Sequence, residues 1–216
     1  ANRPAPPDEL IQQIEKIKEF VTLMNIPIYE MEGFEADDVL ATLAKKAEQQ
    51  DMKTVIVSSD KDLLQLVSEK IVMLSQRMQH KVVYTPEKVK EKYDIKPEQM
   101  RDFLGLVGDS SDNIPGIQGI GPKTASKLLN EFGSLEVLLE HTDTIKSKKQ
   151  RENLERYSEV ALKSKELATV RLDVPMELNL EELKRSDPDY AALKDYFHGL
   201  ELYSFIREII PAEKPG

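Results

Sequence analysis

The sequence contains no cysteine, which excludes disulfide bonds, thiolate zinc sites and cysteine nucleophiles. It has no apolar run of membrane-spanning length and no segment that reads as the apolar core of a signal peptide. We therefore expect an intracellular protein without a membrane partner. Histidine is scarce as well: His80, His141 and His198 lie far apart without the spacing of metal ligands, so surface or packing roles are expected for them.

The composition is that of a globular chain, with 40% hydrophobic and 32% charged residues among 216. That length is enough for one domain or for a domain with an appended lobe. The net charge of -9 argues at first against a nucleic-acid partner, which a basic patch usually marks. The acids are clustered, however, and a basic run lies elsewhere, at Lys146, Lys148, Lys149 and Arg151. The net charge therefore does not decide the question.

Strand-like and helical patterns alternate along the first half of the chain, which predicts an α/β fold with a mainly parallel, doubly wound sheet. The second half reads as an α-helical lobe. We place the boundary between them after residue 105, giving domains of 1–105 and 106–216. Predicted helices begin near Pro7, Pro86, Pro97 and Pro122, and predicted strands cover 26–31, 53–58, 71–74 and 81–84, the last as a hairpin arm.

Three acidic clusters follow predicted strands or open predicted helices. Because strand ends meet at one edge of an α/β sheet, we expect their carboxylates to converge there. Carboxylate oxygens suit hard divalent ions such as Mg²⁺ or Mn²⁺. For the first cluster alone, a capped and solvated helix start explains the acids about equally well. The candidate metal ligands are Glu35, Asp37, Asp38, Asp60, Asp62, Asp109 and Asp112.

A glycine-rich segment follows the third cluster and leads into an apolar helix. It differs from a nucleotide-binding P-loop because Pro122 stands where the lysine belongs and no clear strand precedes it. It fits a helix-hairpin-helix better, in which backbone N–H groups approach a DNA phosphate without reading bases. A turn that merely packs a helix corner is the simpler alternative. The candidate DNA-binding residues are Gly116, Gly119, Gly121, Lys123, Thr124 and Lys127.

Taken together, these motifs resemble the 5′-nuclease domain of bacterial DNA polymerase I, in the flap endonuclease superfamily. The matching residues are Glu35-Ala36-Asp37-Asp38, Asp60-Lys61-Asp62, and Gly108 to Asn113 with Ile114-Pro115-Gly116. The resemblance implies a PIN-like sheet and a 5′→3′ exonuclease or structure-specific endonuclease acting in replication and repair. Its partners would be DNA with a 5′ flap, nick or primer and a C-terminal polymerase domain, in the bacterial cytoplasm at the nucleoid.

The resemblance also implies roles for individual residues. Those matching Glu35, Asp37 and Asp38 hold a first metal ion. Those matching Asp60, Asp62 and Asp112 hold a second, with Asp109 close by. Asp37, Asp38, Asp62 and Asp112 would thus serve catalysis through two Mg²⁺ or Mn²⁺ ions. The resemblance further allows a monovalent cation at the hairpin.

This sequence departs from the family pattern at its start. The family begins with a strand carrying a metal-binding Asp, and a second essential Asp precedes a helical arch; neither is present, and Arg3 with the proline-rich segment resembles the end of the arch. The resemblance thus implies that the N-terminal third of the usual domain is missing. Two alternatives to the nuclease stay open: a branched-DNA-binding module without chemistry, and a ribonuclease of the same architecture.

Overall fold

The computed structural model describes residues 6–77, 80–179 and 181–211. They form two units, which are described separately. The first is Met31–Met176, and the second consists of the described parts of Asn2–Glu30 and Glu177–Gly216.

A three-stranded mixed sheet forms one part of the first unit. Strand β1 (Thr54–Val57) pairs in parallel with β2 (Ile71–Arg77), which pairs antiparallel with β3 (His80–Tyr84). Helix α2 (Ala36–Gln49) precedes β1, and a 3₁₀ helix (Lys61–Leu66) connects β1 to β2. The leucines of that 3₁₀ helix are buried, so the chain that leaves β1 is held firmly against the core.

Helices make up the rest of the first unit. They are α3 (Pro86–Tyr93), α4 (Met100–Val107), α5 (Pro122–Phe132), α6 (Leu135–Glu140), α7 (Lys148–Arg156) and α8 (Ser158–Ala168), with 3₁₀ turns at Pro97–Gln99 and Thr142–Thr144. Helices α4 and α8 pack closely: a Cβ on Gly105 would lie 2.9 Å from the Ala161 carbonyl oxygen. Beside this contact, the Lys165 amine lies 2.6 Å from Asp102 and 2.7 Å from Glu136.

The second unit contains α1 (Asp8–Leu23), α9 (Tyr190–Gly199) and α10 (Tyr203–Ile209). Its aromatic centre is Phe197, whose ring centroid lies 5.7 Å from those of Phe20 and Phe205. The Tyr196 hydroxyl donates to the Lys16 carbonyl at 2.6 Å, which ties α9 to α1. Among the described residues, no helix has the length and apolar character needed to cross a membrane.

Most predicted elements are confirmed, including the helices that begin with proline and the β2–β3 hairpin. The strand predicted over 26–31 is wrong: within the described chain this segment has no strand partner, Pro27 lacks an N–H donor, and Ile26 and Ile28 are exposed. The sheet as described is mixed, because one of its two pairings is antiparallel. The predicted boundary after residue 105 falls within α4, and the division at that point stays a prediction.

Candidate metal centre and glycine-rich hairpin

The turn after β1 fixes the second acidic cluster. The Asp60 amide donates to the Ser58 hydroxyl at 3.0 Å, and the Asp60 carboxylate accepts the Asp62 amide at 3.0 Å, capping the 3₁₀ helix. Capping of this kind satisfies an N–H that a helix start leaves unpaired. Asp60 therefore has a structural task, and it presents Asp62 at a defined position in the first turn.

The third acidic cluster lies in a tight loop between α4 and α5. Asp109 and Ile114 exchange two backbone hydrogen bonds of 2.8 Å, and the Asp109 carboxylate accepts the Ser111 amide at 2.9 Å. Gly108 has a φ of +78°, and a Cβ there would lie 2.4 Å from the Gly116 nitrogen. Glycine at 108 is thus required by both conformation and space.

Three aspartates from these two turns meet. One carboxylate oxygen each from Asp62, Asp109 and Asp112 lies within 4.8 Å of the others. The Lys61 amine contacts Asp109 at 2.6 Å. Asp62 Oδ1 is buried and has no hydrogen-bond partner within the described chain. A buried carboxylate oxygen without a donor is costly, so this position fits a bound cation.

The electrostatics of the cluster point the same way. Burial, followed by the charges of Asp60, Asp109 and Asp112, raises the pKa of Asp62 to about 7, although Lys61 lowers it in part. For Asp109, burial raises the pKa, but the Lys61 and Ser111 hydrogen bonds outweigh it and the pKa is lowered overall. Three acids close together, one of them paired with Lys61, are a donor set suited to a hard divalent ion.

The residues of the first acidic cluster differ in how strongly they are linked to the three-aspartate group. Burial, and then the charges of Asp60, Glu35, Asp38 and Asp112, raise the pKa of Asp37, which links this residue to the cluster electrostatically. Glu35 is exposed. Asp38 accepts the Arg171 amide at 2.8 Å.

Within the described chain, Glu35, Asp37, Asp38 and Asp60 lie outside the three-aspartate group. Their assignment to particular metal ions stays a prediction. Sequence reasoning did not assign roles to Lys61 or Arg171. The only signal for Lys61 was its position between Asp60 and Asp62, and nothing in the sequence linked Arg171 to Asp38.

The hairpin between α4 and α5 is anchored by apolar side chains. Ile114, Ile117 and Ile120 are buried, and the Ile117 amide donates to the Leu106 carbonyl at 2.8 Å. A Cβ on Gly116 would lie 2.2 Å from the Val107 carbonyl, so Gly116 serves close packing here. Its predicted DNA contact stays a prediction.

The hairpin is open at Gly121, where a Cβ would meet none of the described residues within 4 Å. Gly119 has a φ of +82°, and a Cβ there would lie 3.4 Å from the Asn153 side-chain nitrogen. Gly121 precedes α5, where its carbonyl accepts the Thr124 amide at 3.0 Å. Lys123 and Lys127 are exposed, one turn apart on α5. Glycines and lysines on one open surface suit a phosphate backbone.

Fold and site together define a class of α/β proteins that combine a carboxylate metal centre with a helix-hairpin-helix lobe. Residues 1–94 match the model of the 5′-3′ exonuclease N-terminal resolvase-like domain. Residues 95–191 match that of the 5′-3′ exonuclease C-terminal SAM fold. The chain belongs to the 5′-3′ exonuclease family, as the motif resemblance indicated.

Full-length relatives extend this finding. A 5′-3′ exonuclease of Aquifex aeolicus is 42% identical over 207 residues, which are 96% of this chain and 70% of that protein. The thermostable DNA polymerase I of Thermus thermophilus is 43% identical over 216 residues, which are 100% of this chain and 25% of that protein. The chain therefore spans about a fifth to a quarter of the DNA polymerase I relatives that it matches.

A solved structure supports the fold. The bacteriophage T5 flap endonuclease, crystallised as a pseudo-enzyme–product complex with DNA and metal ions, superposes with a TM-score of 0.62 at 22% identity. The match covers 76% of this chain and 62% of that one. The α/β fold with a helical lobe is thereby confirmed.

Proposed function

We propose that this chain is the 5′-nuclease part of a bacterial DNA polymerase I and hydrolyses phosphodiester bonds at 5′ ends and flaps. The observation that carries the proposal is the cluster of Asp62, Asp109 and Asp112, in which one buried oxygen of Asp62 has no donor among the described residues. Membership of the 5′-3′ exonuclease family supports this reaction.

The donor set fits Mg²⁺ or Mn²⁺. Asp62, Asp109 and Asp112 would hold one ion, and the predicted first-metal residues Glu35, Asp37 and Asp38 would contribute to a second. When bound, such ions activate a water molecule for attack on the phosphodiester and offset the charge that develops on the leaving oxygen. None of these carboxylates is proposed as a nucleophile.

The chain's own residues have three tasks in this scheme. Asp60 holds Asp62 in position through its capping hydrogen bond. Lys61 neutralises Asp109, so that the site carries less uncompensated negative charge when a phosphate approaches. The open face of the hairpin, with Gly121, Lys123 and Lys127, would bind a phosphate backbone beside the scissile bond.

The relatives support the proposed substrate and partners. DNA polymerase I relatives are several times longer than this chain, which supports a polymerase domain on its C-terminal side. The proposed substrate is DNA with a 5′ flap, a nick or a primer, at the nucleoid. Competition between RNA and DNA flaps would separate this proposal from a ribonuclease of the same architecture.

The test is cleavage of a labelled 5′-flap DNA in Mg²⁺, with EDTA as the metal-free arm. Asp112→Asn should abolish cleavage but preserve or strengthen DNA binding, because it removes a charge that repels phosphate. Asp143→Asn, which alters an exposed aspartate in the Thr142–Thr144 turn, is the matched control prepared in the same way. Cleavage at the wild-type rate by Asp112→Asn would refute the assignment of the cluster.

A second candidate function is branched-DNA binding without cleavage. The hairpin favours it, because the open surface at Gly121 does not depend on the carboxylates. Such binding should weaken steeply with salt and need no divalent ion. Gly121→Val should reduce DNA affinity without unfolding the chain, whereas Gly199→Val, at another glycine with nothing within 4 Å, should leave affinity unchanged. Unchanged DNA affinity of Gly121→Val would move the contact elsewhere.

A further inference from the structure

A cleft of about 540 Å³ opens beside the three-aspartate cluster. Strands β2 and β3 form one side of it and the end of α3 the other. Two of its lining residues adjoin the metal centre: Lys61 contacts Asp109, and Ser111 donates its amide to the same carboxylate. Its volume lies in the range of about 300–1,000 Å³ that is usual for small-molecule sites.

The described lining of this cleft contains no acidic residue, in contrast to the acidic chain as a whole. The protein carries 39 acidic residues, yet none of the described residues that line the cleft is Asp or Glu. Lys92 contributes positive charge, whereas that of Lys61 is paired with Asp109, and the apolar floor includes Leu64 and Met73, both buried. A cationic rim over an apolar floor suits a ligand that joins an anionic group to a flat, weakly polar body.

Lys92 is the centre of this lining. Its amine donates to the Tyr84 hydroxyl at 2.6 Å and lies 4.9 and 5.0 Å from the ring centroids of Tyr84 and Tyr93. Partial burial lowers its pKa, but the Tyr84 hydrogen bond and the Tyr93 interactions outweigh this and the pKa is raised overall. The amine is therefore charged at neutral pH.

The other lysines of α3 differ from Lys92. Lys88 pairs with Glu91 at 2.8 Å, and Lys90 pairs with Asp94 at 2.7 Å. Within the described chain, Lys92 has no carboxylate at ion-pair distance. Its positive charge is held by two aromatic rings and a hydroxyl, all of which leave a donor available to an anion.

A shallower depression continues from Lys92 and Tyr93 to the start of α5, where Pro122 and Lys123 line it. The amines of Lys92 and Lys123 therefore mark a line from the cleft to the hairpin; Asp94, which pairs with Lys90, also lines this depression. A nucleic-acid strand could follow this line, because phosphates repeat along it and the exposed amines match their charge.

We propose that the cleft binds one nucleotide, with its phosphate at Lys92 and its base on the apolar floor beside Tyr93. This inference rests on the proposed nuclease function, since hydrolysis next to Asp62 would deliver a 5′-phosphorylated nucleotide at the mouth of the cleft. The ligand is either the free mononucleotide or the 5′-terminal nucleotide of a strand. The two share one chemistry, and the experiment distinguishes them.

The probe is thymidine 5′-monophosphate, titrated into the whole chain in EDTA, where no cleavage occurs, and followed by NMR at the amides of Val82 and Tyr93. Lys92→Met should weaken binding about tenfold or more, because a charged hydrogen bond to phosphate is lost. Lys88→Met on the same helix should leave affinity unchanged. Thymidine without phosphate should bind weakly and equally to wild type and Lys92→Met.

A second pair of variants covers the case in which Lys92→Met does not fold. His80→Glu places a carboxylate on the exposed rim of the cleft and should weaken nucleotide binding, whereas Lys81→Glu, next to it and outside the lining, should not, despite its larger change of charge. Equal weakening by both would reduce the effect to net charge and overturn the proposal.

The remaining outcomes identify the ligand and test the cleft and nuclease proposals separately. A 5′-phosphorylated dinucleotide that binds more tightly than the monophosphate assigns the cleft to a strand end, and equal affinity assigns it to the free nucleotide. Absence of binding by a chain that cleaves flaps would overturn this inference and leave the nuclease proposal intact. Lys92-dependent binding in a chain that does not cleave would support the cleft and overturn the nuclease proposal.

Discussion

Two aspartates in the first unit, the buried Asp102 and the half-buried Asp62, differ in whether the protein supplies partners for their carboxylate oxygens. The Asp102 carboxylate is buried, contacts the Lys165 amine at 2.6 Å and accepts the Leu135 amide at 3.0 Å. Asp62 has a buried oxygen to which none of the described residues donates, and its pKa is raised to about 7 by burial and by neighbouring aspartates. The fold therefore supplies partners for Asp102, whereas Asp62 Oδ1 has no partner among the described residues and fits a bound cation.

The difference separates structural from functional acids. A carboxylate with its own lysine and amide stabilises the packing of α4, α6 and α8 without further partners. A cluster in which burial and neighbouring aspartates raise the pKa of one member, Asp62, costs folding free energy. Such a cost is typical of sites where a bound ligand offsets it. Asp109 lies between these extremes, because it takes part in the cluster but has Lys61 as a partner.

The largest effect is expected from removing the satisfied carboxylate. Asp102→Ala should lower the free energy of unfolding by about 3–5 kcal/mol, because it strips the nearly buried Lys165 of a partner. Urea denaturation would measure it, with Asp143→Ala as the exposed control. A loss no larger than that of the control would erase the distinction between Asp102 and the metal cluster.

A backbone change at the turn that carries Asp109 should rank next. Gly116→Ala places a Cβ 2.2 Å from the Val107 carbonyl carbon and oxygen, which side-chain rotation cannot relieve. We expect a loss of about 2–3 kcal/mol. Gly121→Ala, where nothing lies within 4 Å, should cost less than about 1 kcal/mol. Equal denaturation midpoints for both variants would show that the backbone at Gly116 can shift at little cost and does not hold Asp109 in place.

Asp62→Asn should have the opposite effect and raise the free energy of unfolding at neutral to alkaline pH. In the metal-free protein, Asp62 has a pKa of about 7 when folded and about 4 when unfolded, so folding takes up a proton between these values. Its contribution to stability is intact below pH 4, falls as the pH rises and is fully lost above pH 7.

At pH 8 in EDTA, Asp62→Asn should therefore be more stable than wild type by about 1–3 kcal/mol, allowing for partial solvent screening. The gain should vanish near pH 4, and Mg²⁺ should stabilise only wild type. Thermal unfolding across pH would measure both. A variant less stable than wild type at pH 8 would mean that Asp62 is satisfied in the way that Asp102 is.

The smallest effect is expected on the exposed face of α8. Lys163 pairs with Glu166 at 3.0 Å, with both side chains largely exposed. Lys163→Ala should leave the denaturation midpoint within error, whereas Lys165→Ala, two residues away on the same helix, should lower it clearly. Similar shifts for the two variants would show that burial does not govern the strength of these pairs.

Local patterns predicted much of the fold. Apolar periodicity and proline at helix starts located α3 and α5, and the polar turn after the predicted strand at 71–74 located the β2–β3 hairpin. The failure at 26–31 has a physical cause. A short apolar run becomes a strand only where a partner offers hydrogen bonds, and partners are distant in sequence.

The sequence predicted which residues belong to the candidate site, but it did not predict their contacts in three dimensions. Spacing marked the acidic turns, because Asp60 with Asp62 and Asp109 with Asp112 each stand close together in the chain. It did not reveal that Asp38 accepts the Arg171 amide or that Gly116 serves packing. These facts depend on distances between segments that lie far apart in the sequence.

The sequence by itself determined which chemistry is present: carboxylates in three short motifs, a glycine-rich hairpin, and no cysteine to compete for metal. Residue type and short-range spacing suffice for that, because they fix charge and local turn geometry. Only the tertiary structure decided which carboxylates meet, which are paired and which oxygen stays unsatisfied. The reason is that burial and electrostatic coupling depend on packing between distant segments, and these two quantities raise the pKa of Asp62.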